Sequence, residues 1–244
     1  MVGAVGFMDI ANALKRARPF AQAPEEAIEA MVPHAVARTL SRDDALWQTG
    51  APTTHFSVIY SGLLKVVRSL PNGREAIMGL FGPRESVGDI AVIQGKAMPA
   101  SAIVCSATAV VIRIPREVVL EQMHKWPGLT ISMNSAIADR VQALQTKVQI
   151  LSAGGVEARL ASLLLDLADR FGDEFEDDTV VIPLALSRQE LANLISTTFE
   201  TTIRVMSRWQ KSGWVETRSD GFVLKDLEAL RETARTVIAT RGGG

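Results

Sequence analysis

From Val36 to Ile114 the chain repeats its apolar positions every two residues, and on both sides of that stretch the repeat lengthens to a helical period. Phe56, Val58 and Tyr60 alternate with Ser57, Ile59 and Ser61. Leu64–Arg68, Ala76–Phe81 and Ile103–Ile114 read as further strands. Turn signals separate them at Thr49-Gly50, Ser61-Gly62, Pro71-Asn72-Gly73, Phe81-Gly82-Pro83 and Gln94-Gly95. Short strands punctuated by glycine predict an antiparallel roll or barrel. Ahead of it lie two short helical patterns, around Ile10–Arg18 and Pro24–Val32. Pro24 followed by Glu25 and Glu26 suits a helix start, because proline lacks the donor that position leaves unused and the acids meet the positive end of the helix.

Pro127 opens a long helical pattern that reaches Ala153-Gly154-Gly155. Ile137, Val141, Leu144, Val148 and Leu151 fall at alternating spacings of four and three, a heptad seam with Asn134 ahead of it as a register-setting polar position. A stripe with that repeat is best covered by a copy of itself, so the chain is expected to form a homodimer. Gly154-Gly155 reads as a hinge and Val156–Phe171 as a core helix. Gly172–Asp178 reads as an acidic loop and Val180-Val181-Ile182 as a strand. The expected fold class is α+β. Residues 1–126 form helices and the roll, 127–153 the dimerisation helix and 154–244 a second domain.

Within that second domain, Leu186–Val215 carries the clearest chemistry. Ser187 followed by Glu190 is a capping box, which starts a helix at Arg188, and Leu191, Ala192, Leu194 and Ile195 give it an apolar face. Ser196-Thr197-Thr198 interrupts the pattern, with Ser196 where such a turn usually has glycine. Thr198 can then cap a second helix from about Phe199 to Lys211. Thr202, Val205, Met206 and Trp209 point inward in that helix; Glu200, Thr201, Arg204, Arg208 and Lys211 are left outside. Two crossing helices, the second with one exposed acid and several bases, suit reading of the DNA major groove. A surface helix with solvated charges is the plainer alternative. The following residues favour the first reading. Ser212-Gly213 ends the helix, and Trp214–Thr217 and Phe222–Leu224 alternate as two strands around an Asp220-Gly221 turn. With a closing helix over Asp226–Val237 and a frayed Gly242-Gly243-Gly244 end, the arrangement is a winged helix-turn-helix.

Composition narrows the setting. There is no run of 18 apolar residues, so no membrane span is expected, and the N-terminus has neither signal-peptide nor transit-peptide character. A single cysteine excludes an internal disulfide framework and fits a reducing cytoplasm. Net charge is −1, so a nucleic-acid contact must draw on bases concentrated locally: Arg188, Arg204, Arg208, Lys211 and Arg218, set against Glu190, Glu200 and Glu216. No metal-spaced cluster, phosphate-cradling loop or nucleophile with a recognisable base is present, so no enzyme activity, catalytic residue or metal ligand is expected.

A roll, a long dimer helix, a glycine hinge and a winged helix-turn-helix stand in that order. The chain resembles the family of the cyclic AMP receptor protein and the fumarate-nitrate reduction regulator. The resemblance rests on Tyr60-Ser61-Gly62, Asn72-Gly73-Arg74-Glu75, Phe81-Gly82-Pro83 and Ser86-Val87-Gly88-Asp89, and on Ser187-Arg188-Gln189-Glu190-Leu191-Ala192 and Thr197-Thr198-Phe199-Glu200-Thr201 with Arg204. It implies a bacterial homodimeric transcription factor with a jelly roll of cyclic-nucleotide-binding type, which binds a palindromic double-stranded site and works with RNA polymerase. The family's base-reading Glu and Arg fall on Glu200 and Arg204. Arginine can bond guanine O6 and N7 together and a glutamate can accept from cytosine N4, so both types suit the role on chemical grounds. Phe199 and Ile203 flank them as further base-reading positions, which implies a TTG-like core with altered neighbours. Thr197, Thr198 and Thr201 are assigned to phosphates, as are Arg188, Arg208 and Lys211.

The sensing roll departs from its best-known relatives. Gly88-Asp89-Ile90 stands where they carry Gly-Glu-Leu, and Met98-Pro99-Ala100-Ser101-Ala102 puts Pro99 where they clamp the cyclic phosphate with arginine. Gly88, Asp89, Ile90, Pro99 and Ala100 are therefore the candidate effector pocket. The missing charge-assisted bond argues against cyclic AMP, although Arg74, Arg84 or Lys96 are alternative cations. One cysteine, Cys105, cannot hold a four-thiolate cluster, and as part of an apolar strand it reads as a buried inert thiol. Haem stays open, with His34, His55 and His124 as axial candidates, as does control without a small effector.

Overall fold

The computed structural model describes residues 9–70, 75–152, 154–175 and 179–235. They divide into two compact units, Met1–Val141 and Gln142–Gly244. The Pro71-Asn72-Gly73 turn, Arg74, Ala153, the end of the acidic stretch and the C-terminal glycines lie outside the described residues, as does the expected helix beyond Arg235.

The first unit begins with α1 (Ile10–Lys15), a 3-10 turn at Arg18–Phe20, α2 (Glu25–Met31) and a 3-10 turn at Val32–His34. Eight strands follow: β1 (Val36–Ser41), β2 (Ala45–Trp47), β3 (His55–Ser61), β4 (Leu64–Ser69), β5 (Glu75–Phe81), β6 (Ser86–Val87), β7 (Ser101–Val104) and β8 (Thr108–Pro115). Helix α3 (Asp89–Gln94) interrupts them after β6, and α4 (Arg116–Lys125) closes them. Two antiparallel sheets result, ordered β1-β8-β3-β6 and β2-β7-β4-β5. Leu40, Ile59 and Val111 of one meet Leu46, Leu64 and Val104 of the other in the roll interior. At the β3–β4 turn Gly62 holds a left-handed φ of 79°, and a Cβ there would stand 2.2 Å from the Thr108 carbonyl oxygen, so no other residue fits.

The period-two reading of β3 needs a correction. It implies one buried and one open face, yet Phe56, Ser57, Val58 and Ile59 are all buried. Ile59 packs inside the roll, whereas Phe56 and Val58 join Ile112 and Ile114 against Leu14, Phe20, Ile28, Met31 and Leu129 of the helices. A sheet covered on both faces needs apolar residues on both.

The long helix α5 runs Pro127–Ser152, and the division between units falls within it, at Val141. Its Leu129 and Met133 belong to the helix-covered core. The heptad stripe lies elsewhere on its surface: Val141, Leu144 and Val148 are 51%, 56% and 63% exposed, and Ile137 and Leu151 are half-buried.

The second unit contains α6 (Val156–Phe171), β9 (Asp173–Glu174), β10 (Val180–Ile182), α7 (Arg188–Leu194), α8 (Phe199–Lys211), β11 (Val215–Thr217), β12 (Phe222–Leu224) and α9 (Leu227–Arg235). Part of the expected acidic loop is in fact β9, antiparallel to β10. The wing is thereby two strands of a four-stranded sheet ordered β11-β12-β10-β9, more firmly anchored than an isolated hairpin. Helix α6 buries Leu160, Leu164 and Leu167, as its apolar spacing predicts.

Candidate nucleic-acid interface

Helices α7 and α8 are set by their caps. Ser187 Oγ accepts from the Glu190 N–H at 3.1 Å, and Glu190 Oε2 accepts from the Ser187 N–H at 2.7 Å, which completes the expected box. After α7, Ser196 takes a left-handed φ of 54°, so the turn has the geometry glycine favours without glycine. The Thr197 N–H reaches back to the Ala192 carbonyl at 2.9 Å, and Thr198 caps α8 by accepting from the Thr201 N–H at 3.3 Å. Thr202, Val205, Met206 and Trp209 are buried, and the Thr202 hydroxyl is satisfied by the Thr198 carbonyl at 3.1 Å. Burying that face fixes which side of α8 looks outward.

The outward side opens with Phe199, Glu200, Ile203 and Arg204, all exposed. Glu200 and Arg204 lie one helical turn apart, and neither has a side-chain partner among the described residues. The expected phosphate residues fare differently from one another. Thr198 is exposed and Thr201 half-buried, their hydroxyls bonded to each other at 3.0 Å; Thr197 is half-buried beside them and Lys211 is exposed at the end of α8. Arg208 is exposed but ion-paired with Glu157 of α6. Arg188 is half-buried: its Nη2 donates to Thr217 Oγ1 at 2.6 Å, and the guanidinium lies 5.9 Å from the Phe222 ring centroid. Burial pushes its pKa down, and its bonds tie α7 to the wing. Both arginines carry structural contacts that the spacing of charges did not reveal.

In the roll, Asp89 among the candidate effector residues carries a charge already answered from within the chain. Gly88 caps α3 with a left-handed φ of 72°, and a Cβ there would meet the Trp47 ring at 2.8 Å. The Trp47 Nε1–H donates to the Ala100 carbonyl at 3.0 Å; Ala100 is buried, Pro99 and Ile90 exposed. Asp89 is only 2% exposed. Its Oδ2 accepts from Ser86 Oγ at 2.6 Å, its Oδ1 from the Ile90 N–H at 2.7 Å, and Arg140 of α5 forms an ion pair with Oδ1. Arg140 also donates to the Ser86 carbonyl and stacks its guanidinium 5.2 Å from the Phe81 ring centroid. Sequence reasoning missed Arg140; its place between Ile137 and Val141 was the available signal. Arg84 and Lys96 are exposed, and Arg74 lies outside the described residues.

The three histidines occupy separate elements. His34 and His124 are exposed; His55 is half-buried, 2.9 Å from Thr54 Oγ1, its pKa lowered by burial and by the charge of Arg113. Cys105 is buried as expected, but the expected strand Ile103–Ile114 is split into β7 and β8, and Cys105 lies in the short connection between them. No group of three or more metal-holding side chains occurs among the described residues. No described helix is long and apolar enough to cross a membrane.

A roll whose buried acid is held by a long helix, followed by a helix-turn-helix with an open reading face, defines a two-part DNA-binding regulator. Comparison with known proteins bears this out. A cyclic nucleotide-binding domain family matches residues 37–125 and a Crp-like helix-turn-helix family matches residues 158–233, together more than half the chain. The CRP-like cAMP-activated global transcriptional regulator of Mycobacterium tuberculosis is 24% identical over 222 residues, which cover 91% of this chain and 98% of that protein. The fumarate and nitrate reduction regulatory protein of Escherichia coli is 25% identical over 203 residues, covering 81% and 78%. A CRP-family transcriptional regulator from Thermus thermophilus shares the fold, with a TM-score of 0.67 at 24% identity over 81% of this chain and 96% of its own. The chain belongs to the CRP/FNR family of transcription regulators.

Proposed function

We propose that this chain acts as a cytoplasmic homodimer, without enzyme activity, that binds palindromic promoter DNA with TTG-like arms. In this reading Glu200 and Arg204 recognise bases and RNA polymerase is the working partner. The observation that carries it is the pair Glu200 and Arg204, exposed one turn apart on α8 and unpartnered among the described residues. A guanine and its neighbouring cytosine offer the acceptors and donor that this pair lacks. Thr197, Thr198, Thr201 and Lys211 border the same face and suit phosphate contact; Arg188 and Arg208 are better placed to brace the domain. The exposed Val141, Leu144 and Val148 stripe supports dimerisation, since a copy of the helix covers it and places two readers on two half-sites. Leu144→Glu should leave monomers by light scattering; an unchanged dimer mass would move the interface elsewhere.

For the roll, the proposal is control without cyclic AMP. An anionic phosphate would find Pro99 rather than a cation at the expected position, while Asp89 is already neutralised by Arg140. Selection from a random double-stranded library with purified protein tests both halves, with the absorption spectrum checked for haem. Inverted repeats with TTG-like arms, enriched without added effector, are the expected result. Enrichment only after addition of cyclic nucleotide or of haem would overturn the effector reading and keep the DNA reading.

A further inference from the structure

Phe199 and Ile203 are apolar and exposed on a helix whose core face is complete without them. They are 41% and 38% exposed, whereas Val205, Met206 and Trp209 are each at most 2% exposed. Separated by four residues, they form one apolar column along the first turns of α8, beside the polar column of Glu200 and Arg204. Two adjacent apolar side chains left in solvent are available to a partner that can cover them. This one is continuous with the DNA-reading face of a Crp-like helix-turn-helix, and that continuity fixes its partner. Facing the major groove, a phenyl ring and a branched aliphatic chain meet one apolar group on unmodified bases, the C5-methyl of thymine.

We infer that Phe199 and Ile203 read thymine by its methyl group, so that part of each half-site is specified by apolar contact while Glu200 and Arg204 specify the rest by hydrogen bonds. The inference rests on the DNA-binding reading above. It has a chemical corollary: 5-methylcytosine presents a methyl at the same place on its ring, so the column accepts a methylated C·G pair where it rejects an unmethylated one.

The test uses the full chain and the duplex recovered from library selection, with each thymine replaced singly by deoxyuridine. That exchange removes one methyl and no hydrogen bond. One or two positions per half-site should bind about fourfold more weakly, the loss expected for one buried carbon. Phe199→Ser or Ile203→Ser should abolish the penalty at its own position while thermal unfolding stays unchanged. Replacing a sensitive thymine by 5-methylcytosine should bind more tightly than replacing it by cytosine. Specific binding indifferent to every deoxyuridine, or a penalty that survives in both serine variants, overturns the inference and leaves the DNA-binding reading standing. Failure to select any sequence overturns both.

Discussion

Two sites in this chain carry opposed charges on neighbouring side chains, and they are built in opposite ways. In the roll, Asp89 is buried and every strong contact it makes is internal: Ser86, the Ile90 amide and Arg140. On α8, Glu200 and Arg204 are exposed and have no side-chain partner among the described residues. A buried charge must be compensated within the fold, because desolvation without a partner costs several kcal/mol. An exposed charge carries no such debt and stays available to a ligand. The same residue chemistry is thus structural in the roll and, in the reading proposed above, recognitional on α8, with solvent access making the difference.

Breaking the internal pair gives the largest effect. Arg140→Ala strands the Asp89 carboxylate and should lower stability by about 3–5 kcal/mol in urea unfolding. A neutral result would show that the pair does not hold α5 to the roll. Arg204→Ala should leave unfolding unchanged and weaken binding to the selected site by about 1–3 kcal/mol, roughly 5- to 150-fold, with guanine preference relaxed. Loss of stability instead would erase the contrast between the two sites. Ser196→Gly relieves a left-handed residue in the turn between the reader helices and should raise the melting temperature, by up to about 1 kcal/mol of stabilisation, without altering sequence preference.

The wing supplies the smallest effect and an intermediate case. Glu216 accepts from Lys225 Nζ at 2.6 Å and Arg218 Nε at 2.9 Å. Hydrogen bonds from Lys225 and then Arg218 hold its carboxyl at about 2, below the ordinary 4.5. A depressed carboxyl favours the folded state above its unfolded value and loses that advantage as pH falls through the folded one. Stability should therefore decline between about pH 4.5 and 2, and Glu216→Gln should flatten part of that decline in low-salt denaturation.

What the sequence disclosed follows the range of the forces involved. The caps at Ser187 and Thr198 act within three residues, so α7 and α8 were legible to within a residue, as were the buried positions of α8. That Val141, Leu144 and Val148 share one exposed stripe was legible because one helix carries all three. Arg140 was not, since it meets Asp89 across 51 residues of sequence and sits beside seam positions that suggest a solvent face. The second buried face of β3 was missed for a related reason: alternation reports one neighbouring layer, and the second layer comes from α1, α2 and α5. Arg188 and Arg208 looked like free cations because their partners, Thr217 and Glu157, belong to other elements.

The joint between the recognition helix and the wing has an optical consequence. Trp209 of α8 and Trp214 before β11 stack with ring centroids 6.1 Å apart and planes 29° from parallel, and the Trp214 amide donates to the Trp209 carbonyl at 2.9 Å. Two indoles held this close couple their transitions, so the reader and its wing share a near-ultraviolet dichroism band. The chain's other two tryptophans, Trp47 and Trp126, lie in the first unit at separate positions. The protein thus carries its own chromophore pair at the base of the reading head, and a change in wing packing on DNA can be followed without a label.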